Sequence, residues 1–430
     1  MTNHIVIIGN GVAGITAARH IRKLSNHSIT VISSETTHFF SRTALMYVYM
    51  GHMKFEHTKP YEDSFWKKNK IDLVFDHVES LHSPEQKLKL RSGKTLHYDQ
   101  LIIASGSRYN KLDVPGMDLS GVQGLYSYSD LLEMEEHTRN IESAVVVGGG
   151  LIGVEMAEML HSRKINVSFL VREEEFWSNV LPLSEARMIG KHIRERHVNL
   201  LRSTELQEIV GNGKKVSAVV TNTGEIIPCQ FVGVTIGVSP NIEFLKSSEL
   251  ELNRGVLVNE YLETNLPNVF AIGDCAERKY YLPFRKSVEQ VWYTGRMMGE
   301  TVAHTICGRR MRYEPGPWFN SAKFFDIEYQ TYGEVDSKLR PNEGDFYWEH
   351  SSGTKAMHFT WSKSSKVFHG VNTFGIRLRH ECFDKWLREK QTIDFVLHHL
   401  AEANFDPEFF AHHEDEIITS FRSKQNLPIL

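Results

Sequence analysis

His4-Ile-Val-Ile-Ile-Gly9-Asn-Gly11-Val-Ala-Gly14 is the stretch that decides the fold. Ile5 to Ile8 are uninterrupted β-branched residues, the composition of a strand buried on both faces of a parallel sheet. They run into Gly9-x-Gly11-x-x-Gly14 and then into an apolar pattern of helical period reaching about Leu24. Gly9 permits a tight turn, Gly11 lets backbone approach a pyrophosphate, and Gly14 lets the helix pack on the strand. The helix start adds free N–H groups and the positive end of its dipole. A further strand from Ser28 to Ser33 completes the unit, so the glycines stand in the context that makes them a dinucleotide-binding fingerprint. An acid that accepts from ribose hydroxyls belongs near the end of that strand. Ser34 and Glu35 are the candidates, Glu35 first, with an exposed turn glutamate as the alternative.

The device recurs about 140 residues later, in Ser143-Ala-Val-Val-Val-Gly148-Gly-Gly150-Leu-Ile-Gly153-Val-Glu155, followed by a helix and a strand from Asn166 to Val171. Two complete units imply two bound dinucleotides. Leu101-Ile-Ile-Ala104-Ser105-Gly106-Ser and Val232-Gly-Val-Thr-Ile-Gly237-Val-Ser-Pro-Asn each follow one fingerprint as an apolar strand ending in small residues, where a chain passes close to a nucleotide. Asn268-Val-Phe-Ala-Ile-Gly273-Asp274-Cys-Ala ends another strand on an acid suited to accept from a ribityl hydroxyl, with a helix beyond it.

Composition narrows the class. A chain of 430 residues fits two or three domains. With 41% hydrophobic and 24% charged residues it reads as an ordinary globular protein. A formal charge of -4 with dispersed basic residues argues against nucleic-acid binding. No apolar run reaches 18 residues, so no membrane insertion is expected, and the start at His4 without a signal pattern reads as cytoplasmic. Cys229, Cys275, Cys307 and Cys382 are too scattered for a disulfide framework or a metal knuckle and read as reduced, buried thiols. Adjacent histidine pairs (His398, His399 and His412, His413) lack the i, i+4 spacing of a helical metal site, and no metal is expected.

The order Gly9-x-Gly11, Ala104-Ser-Gly106, Gly148-x-Gly150, Thr235-Ile-Gly237 and Gly273-Asp274 resembles that of the pyridine nucleotide-disulfide oxidoreductases over roughly residues 1 to 300. The resemblance implies an α/β fold with two Rossmann-like domains and a C-terminal α+β interface-type domain. It places an FAD domain over residues 1–116 and 245–312, an NAD(P)H domain over 117–244 and the third domain over 313–430. Members that reduce disulfides carry a cysteine pair in the first third of the chain, whereas here no cysteine precedes Cys229. Electrons are therefore expected to pass from nicotinamide through FAD to an external acceptor.

Three segments resemble the ferredoxin- and rubredoxin-reductase branch, which includes the apoptosis-inducing factor flavoproteins. Phe40-Ser-Arg42-Thr-Ala-Leu-Met-Tyr47 matches its Tyr-x-Arg-Pro-x-Leu-Ser-Lys motif, which implies that Arg42 contacts the FAD diphosphate. Arg285-Lys-Ser-Val-Glu289-Gln-Val resembles the helix that follows Gly-Asp and closes over the flavin. Pro317-Trp318-Phe319-Asn320-Ser-Ala-Lys-Phe-Phe-Asp resembles the opening of the branch's C-terminal domain, with Phe319 or Trp318 near the flavin or packed in the core. Val78 is taken as a further cofactor contact. The branch implies a small iron–sulfur carrier as partner, and a homodimer is compatible with it.

In that branch a lysine pairs with the glutamate of the second glycine motif at the flavin. Here Glu155 keeps the carboxylate but Tyr47 replaces the lysine, so Glu155 is expected to take a proton by desolvation or to find another donor. Glu155 and Tyr47 are thus the catalytic candidates. At the end of the second unit's second strand Val171 stands where an NAD-selecting acid would be. Arg172 leans toward NADPH, and Glu173, Glu174 and Glu175 lean against it, leaving NADPH or NADH open. Alternative readings are an NAD(P)H oxidase or quinone-type reductase, and a slow redox-sensing binding protein resembling the apoptosis-inducing factor. The last hundred residues read as short strands (Tyr329 to Gly333, Phe346 to His350, Lys355 to Trp361, Val367 to Thr373) followed by helices (Glu381 to Lys390, Ile393 to Ala403, Pro407 to Phe421).

Overall fold

The β-branched run forms a strand, His4–Ile8, and the helix after Gly11 spans Val12–Leu24. The computed structural model describes residues 2–283, 285–405 and 411–425. Its described residues divide into two compact units, each assembled from three chain segments. One takes Met1–Asp113, Gly121–Asn140 and Ile236–Pro315; the other takes Val114–Ser120, Ile141–Thr235 and Gly316–Leu430.

In the first unit, five parallel strands lie in the order Val269–Ala271, Gln100–Ile103, His4–Ile8, Ser28–Ser33, Ile71–Phe75. Ile8 pairs with Ile32 on one side and Ile103 on the other. Ile5, Val6 and Ile7 are wholly buried, which is why that run carries no polar alternation. From His4–Ile8 the chain builds outward on one flank and then returns to build on the other. The reversal opens a crevice at the carboxyl ends of His4–Ile8 and Gln100–Ile103, where Gly9 and Ala104 stand. Helix Val12–Leu24 packs against helix Trp292–Ile306 along a seam of small residues: a Cβ at Gly299 would lie 2.5 Å from the Ala13 carbonyl oxygen.

The second unit repeats the plan. Parallel strands lie in the order Asn199–Arg202, Asn166–Val171, Ser143–Val147, Phe231–Val234, with helices Leu151–Ser162 and Leu183–Glu195. The same unit holds an antiparallel sheet in the order Phe319–Phe324, Ile327–Gly333, Phe368–Phe374, Ala356–Ser362, Glu343–Glu349. Helices His380–Arg388, Ile393–His398 and Glu414–Lys424 contribute Phe383, Trp386, Val396 and Phe421 to a core with Phe346, Trp348, Phe359 and Trp361.

Buried polar contacts tie helix Leu183–Glu195 to this sheet. Glu185 is fully buried; its Oε1 lies 2.8 Å from His358 Nδ1, and its Oε2 accepts from Asn372 Nδ2 at 2.9 Å. His358 Nε2 lies 3.1 Å from Asp345. Burial opposes charge on His358, but the bonds to Asp345 and Glu185 prevail and push its pKa up to about 9. Burial alone pushes Glu185 upward, against the pull of His358 and Asn372. His192 on the same helix and Arg196 just past its end both hold Asp326, at 2.8 and 2.6 Å.

Three expectations need correction. The antiparallel sheet has a further strand, Phe319–Phe324, inside the Pro317 motif. The helix expected over Ile393 to Ala403 stops at His398 and tightens into a 3-10 turn, Leu400–Ala403. The segment from Arg285 to Val291 is not helical. The helix starts at Trp292, because Arg285 and Arg278 both turn inward onto Glu289 and fix that segment as a loop. The helix expected over Pro407 to Phe421 lies partly outside the described residues and is observed as Glu414–Lys424.

Candidate dinucleotide-binding sites

At the first crevice Gly9 has φ +109°, and a Cβ there would lie 2.1 Å from the Ala104 carbonyl oxygen. Its N–H donates to Ile32 O at 2.8 Å, which pins the turn. A Cβ at Gly14 would lie 2.1 Å from Gly9 O, so the helix can sit this close only without one. A Cβ at Gly11 would meet nothing within 4 Å, and the helix beginning there has no side-chain cap. Bare N–H groups facing open space at a helix N-terminus make a cradle for a diphosphate.

Five side chains form one connected network in this unit. Arg42 grips Glu35 through two bonds, 2.9 and 2.6 Å, and donates to Tyr126 O at 2.6 Å. Its guanidinium lies 4.5 Å from the Tyr126 ring centroid. Glu35 also accepts from Tyr128 N at 2.7 Å. Tyr126 Oη donates to Asp274 Oδ2 at 3.1 Å and accepts from Ser107 N at 2.9 Å. Ser107 Oγ reaches the same Asp274 oxygen at 3.2 Å. Burial raises the Asp274 pKa against Tyr126, Ser107 and Arg42, which favour its charge. Among the described residues both of these bonds fall on Oδ2, so Oδ1 is left to accept from a ligand. A Cβ at Gly273 would lie 2.8 Å from Ala13 Cβ, which brings the Asp274 turn against the start of the fingerprint helix. Ser105 Oγ bonds Asn241 O at 2.7 Å, and Gly106, with φ +70°, leaves room for the Tyr126 hydroxyl.

Tyr126 was not foreseen. Its segment, Gln123-Gly-Leu-Tyr-Ser, carries no motif, and only the fold brings it to Asp274. Other candidates lie elsewhere. Val78 is buried in the first unit's core. Ser34 Oγ contacts His77 Nδ1 at 3.3 Å. Both Glu289 oxygens are taken, by Arg285 (2.6 and 2.8 Å), Arg278 (3.2 Å) and Thr294 (3.0 Å). Tyr47 lies on the short helix Leu45–Tyr49 with its ring stacked at 6.1 Å on His52.

The second crevice copies the first. Gly148 has φ +115° and donates to Leu170 O at 3.0 Å. A Cβ at Gly153 would lie 2.2 Å from Gly148 O, and one at Gly150 would meet nothing within 4 Å. The helix beginning at Gly150 likewise lacks a side-chain cap. Thr235 Oγ1 closes the turn through Val147 O and Gly148 O, at 2.9 and 3.1 Å. Val171 fills the space beside Gly149, and Arg172 is exposed, 3.3 Å from Glu173. Gly237, with φ +101°, belongs to the first unit, where it faces Asn110. Phe319 packs at 4.1 Å against the His380 ring. Burial, with help from Glu158, pushes Glu155 up to about 7, and Lys323 opposes the rise. Lys323 Nζ sits 2.7 Å from Glu158 Oε1.

The four cysteines are free, and burial pushes Cys229 up to about 12. Among the described residues, His350, His413 and Glu416 each place one ligand atom within 4.8 Å of the others. Ser352 N–H already donates to His350 Nδ1 (3.1 Å), and the Lys355 ammonium lies 2.9 Å from His413 Nε2, so a nitrogen of each ring is engaged. No helix of the described residues is long and apolar enough to cross a membrane.

A family model described as pyridine nucleotide-disulphide oxidoreductase matches residues 3–299, more than half of the chain. The chain belongs to this family. FAD and a nicotinamide nucleotide, NAD(P)H, are the cofactors that membership implies, and the two glycine cradles fit two dinucleotides. The chain is similar to the assimilatory nitrate reductase electron transfer subunit of Bacillus subtilis (strain 168), 26% identical over 393 residues, covering 90% of this chain and 49% of that one. It therefore spans about half the length of that relative. It is also similar to a ferredoxin--NAD(P)(+) reductase of a Sphingomonas species, 28% identical over 337 residues, 76% of this chain and 80% of that one. Among solved structures it resembles a NAD-dependent persulfide reductase from A. fulgidus, with a TM-score of 0.86 at 23% identity over 98% of this chain and 83% of the other. That likeness concerns the fold.

Proposed function

We propose that this chain is an FAD-dependent NAD(P)H oxidoreductase that passes electrons through FAD to an external one-electron carrier of the ferredoxin or rubredoxin kind. The observation that carries the reading is the pair of glycine cradles of one design, in a chain with no cysteine before Cys229. The first cradle, with Asp274, Arg42 and Glu35, would hold FAD; the second, with Gly148, Gly150 and Gly153, would hold the nicotinamide nucleotide. Bound flavin supplies conversion of a two-electron hydride into single electrons. The protein's part is to orient the two nucleotides, to keep water from them, and to set the charge beside the ring through Glu155. Relatives named for ferredoxin and rubredoxin as electron partners support the choice of acceptor.

Anaerobic stopped-flow mixing of the purified holoprotein with NADH and NADPH separately, followed by ferredoxin, rubredoxin, quinone or air, tests the reading. Fast bleaching and fast reoxidation by one iron–sulfur protein are expected. Reoxidation only by oxygen or quinone would replace the carrier with a small acceptor, and a protein that retains no flavin would refute the assignment.

A further inference from the structure

The helix Glu414–Lys424 packs on Glu343–Glu349, the edge strand of the antiparallel sheet. Phe421 fastens it there, its ring meeting that of Phe346 edge-on at 5.2 Å, and Lys424 Nζ donates to Tyr347 O at 3.0 Å. Both ties belong to the helix's C-terminal half. At its start, His413 packs its ring 5.6 Å from that of Trp348 and 5.1 Å from that of His350, the residue that follows the strand. Three residues on, Glu416 is a neighbour of His413, its Oε2 lying 3.9 Å from His413 Nδ1. Strand end and helix start thus bring two imidazoles and a carboxylate together, with one ligand atom of each within 4.8 Å of the others.

Two imidazoles and a carboxylate are a zinc donor set, with water as the fourth ligand. Ligand atoms about 2.1 Å from a tetrahedral ion stand about 3.4 Å apart, so closing on one asks for movement on the order of 1 Å. The exposed Glu416 side chain can supply it. Each ring also keeps a nitrogen for the ion. Ser352 holds His350 at Nδ1, its N–H at 3.1 Å and its hydroxyl at 2.9 Å, which leaves Nε2. With Nε2 on an ion the ring carries its proton at Nδ1, and the Ser352 hydroxyl accepts it, the usual outer support of a ligating imidazole. His413 meets the Lys355 ammonium at Nε2, 2.9 Å away, which leaves Nδ1 on the side of Glu416. The acids of the first helical turn, Glu414, Asp415 and Glu416, offset the positive end of the helix dipole.

We propose that His350, His413 and Glu416 form a zinc site that clasps the start of this helix to the edge strand, and that Lys355 competes with the ion for His413. A ring ligated at Nδ1 carries its proton at Nε2, and that proton cannot face an ammonium, so zinc drives Lys355 out toward solvent. The site lies wholly within the second unit and is independent of the reading of the glycine cradles.

The test takes the full-length holoprotein, strips it with a chelator and titrates it with zinc against a chromophoric competitor. The wild type should bind one zinc ion. Glu416→Gln and His350→Ala should each weaken that binding by more than about a hundredfold, beyond the range of a residue that only supports a ligand. Lys355→Met should tighten it about tenfold, the worth of one charged hydrogen bond that no longer has to be broken. Zinc should also raise the thermal unfolding midpoint of the wild type and of Lys355→Met and leave that of Glu416→Gln unmoved. Glu416 is exposed, so its variant keeps the test open even if a histidine variant folds poorly. Zinc held equally by every variant would be bound by other side chains and would overturn the site, as would a wild type that binds none. Binding that is lost with Glu416 but weakened in Lys355→Met would make the lysine a supporter of the ion rather than its rival and would overturn the competition.

Discussion

Replacing His358 by leucine should damage the second unit more than its position on an ordinary strand suggests. In the wild type His358 bridges Glu185, at 2.8 Å, and Asp345, at 3.1 Å. Glu185 has no exposed surface, so His358→Leu leaves it, among the described residues, with Asn372 alone, a neutral donor at 2.9 Å. Removing one partner of a buried ion pair costs about 3–5 kcal/mol, most of it the burial of the remaining charge. With a urea slope of about 2 kcal/mol/M, the unfolding midpoint should drop by roughly 1.5–2.5 M. Five tryptophans of the second unit, Trp177, Trp318, Trp348, Trp361 and Trp386, report the transition by fluorescence. The loss should shrink at acid pH, where Glu185 escapes by taking a proton. Adding Glu185→Gln removes the buried charge and keeps an acceptor for Asn372, so the double variant should regain at least half of the loss. A single variant that costs less than about 1 kcal/mol, or a double variant no better than the single, would show that Glu185 is not held as an ion by His358.

Further outcomes follow from the same geometry. The His358 pKa is raised above its unfolded value of about 6.5, so its stabilisation is complete below pH 6.5 and is lost as pH rises through about 9. The wild type should lose up to about 3 kcal/mol over that window, and the gap to His358→Leu in thermal unfolding should close with it. Gly9→Ala and Gly11→Ala should separate fold from cofactor. The first clashes with Ala104 O at positive φ and should unfold or fail to accumulate. The second should leave the flavin-free protein within about 1 kcal/mol of wild type by urea unfolding but weaken FAD retention on gel filtration, because its Cβ enters the open cradle. Tyr126→Phe removes one donor from Asp274 and should weaken FAD binding about five- to tenfold, near 1 kcal/mol, as read by flavin fluorescence on dilution.

Both glycine units were legible because what makes them is local. Gly9 and Gly148 need positive φ, and Gly14 and Gly153 need a missing Cβ within a few residues of the strand that demands it. Glu35 and Arg42 were legible as candidates, and their mutual grip was not, because it depends on the turn between Phe39 and Arg42 folding back on the strand end. Tyr126 lay hidden for a plainer reason: it reaches Asp274 across 148 residues of chain and its own neighbours follow no pattern. The Arg285 segment misled because its helix was expected from resemblance, while the two buried arginines that meet at Glu289 decide otherwise. The partner of Glu158 was equally invisible: Lys323 sits 165 residues away on a strand whose motif was read for its aromatic residues.

Three segments per unit mean that the chain passes from one unit to the other five times, at residues 113/114, 120/121, 140/141, 235/236 and 315/316. The order of synthesis is then not the order of completion. The sheet nearest the N-terminus has four strands once Ile103 has emerged and waits for Val269–Ala271, an interval on the order of ten to thirty seconds at ordinary translation speed. The four parallel strands between Ser143 and Val234 emerge inside that interval, all from the single segment Ile141–Thr235. At the ribosome, therefore, the module encoded second has all its parallel strands first, and the nascent first module carries an unpaired edge along Gln100–Ile103 until the distant strand arrives to cover it.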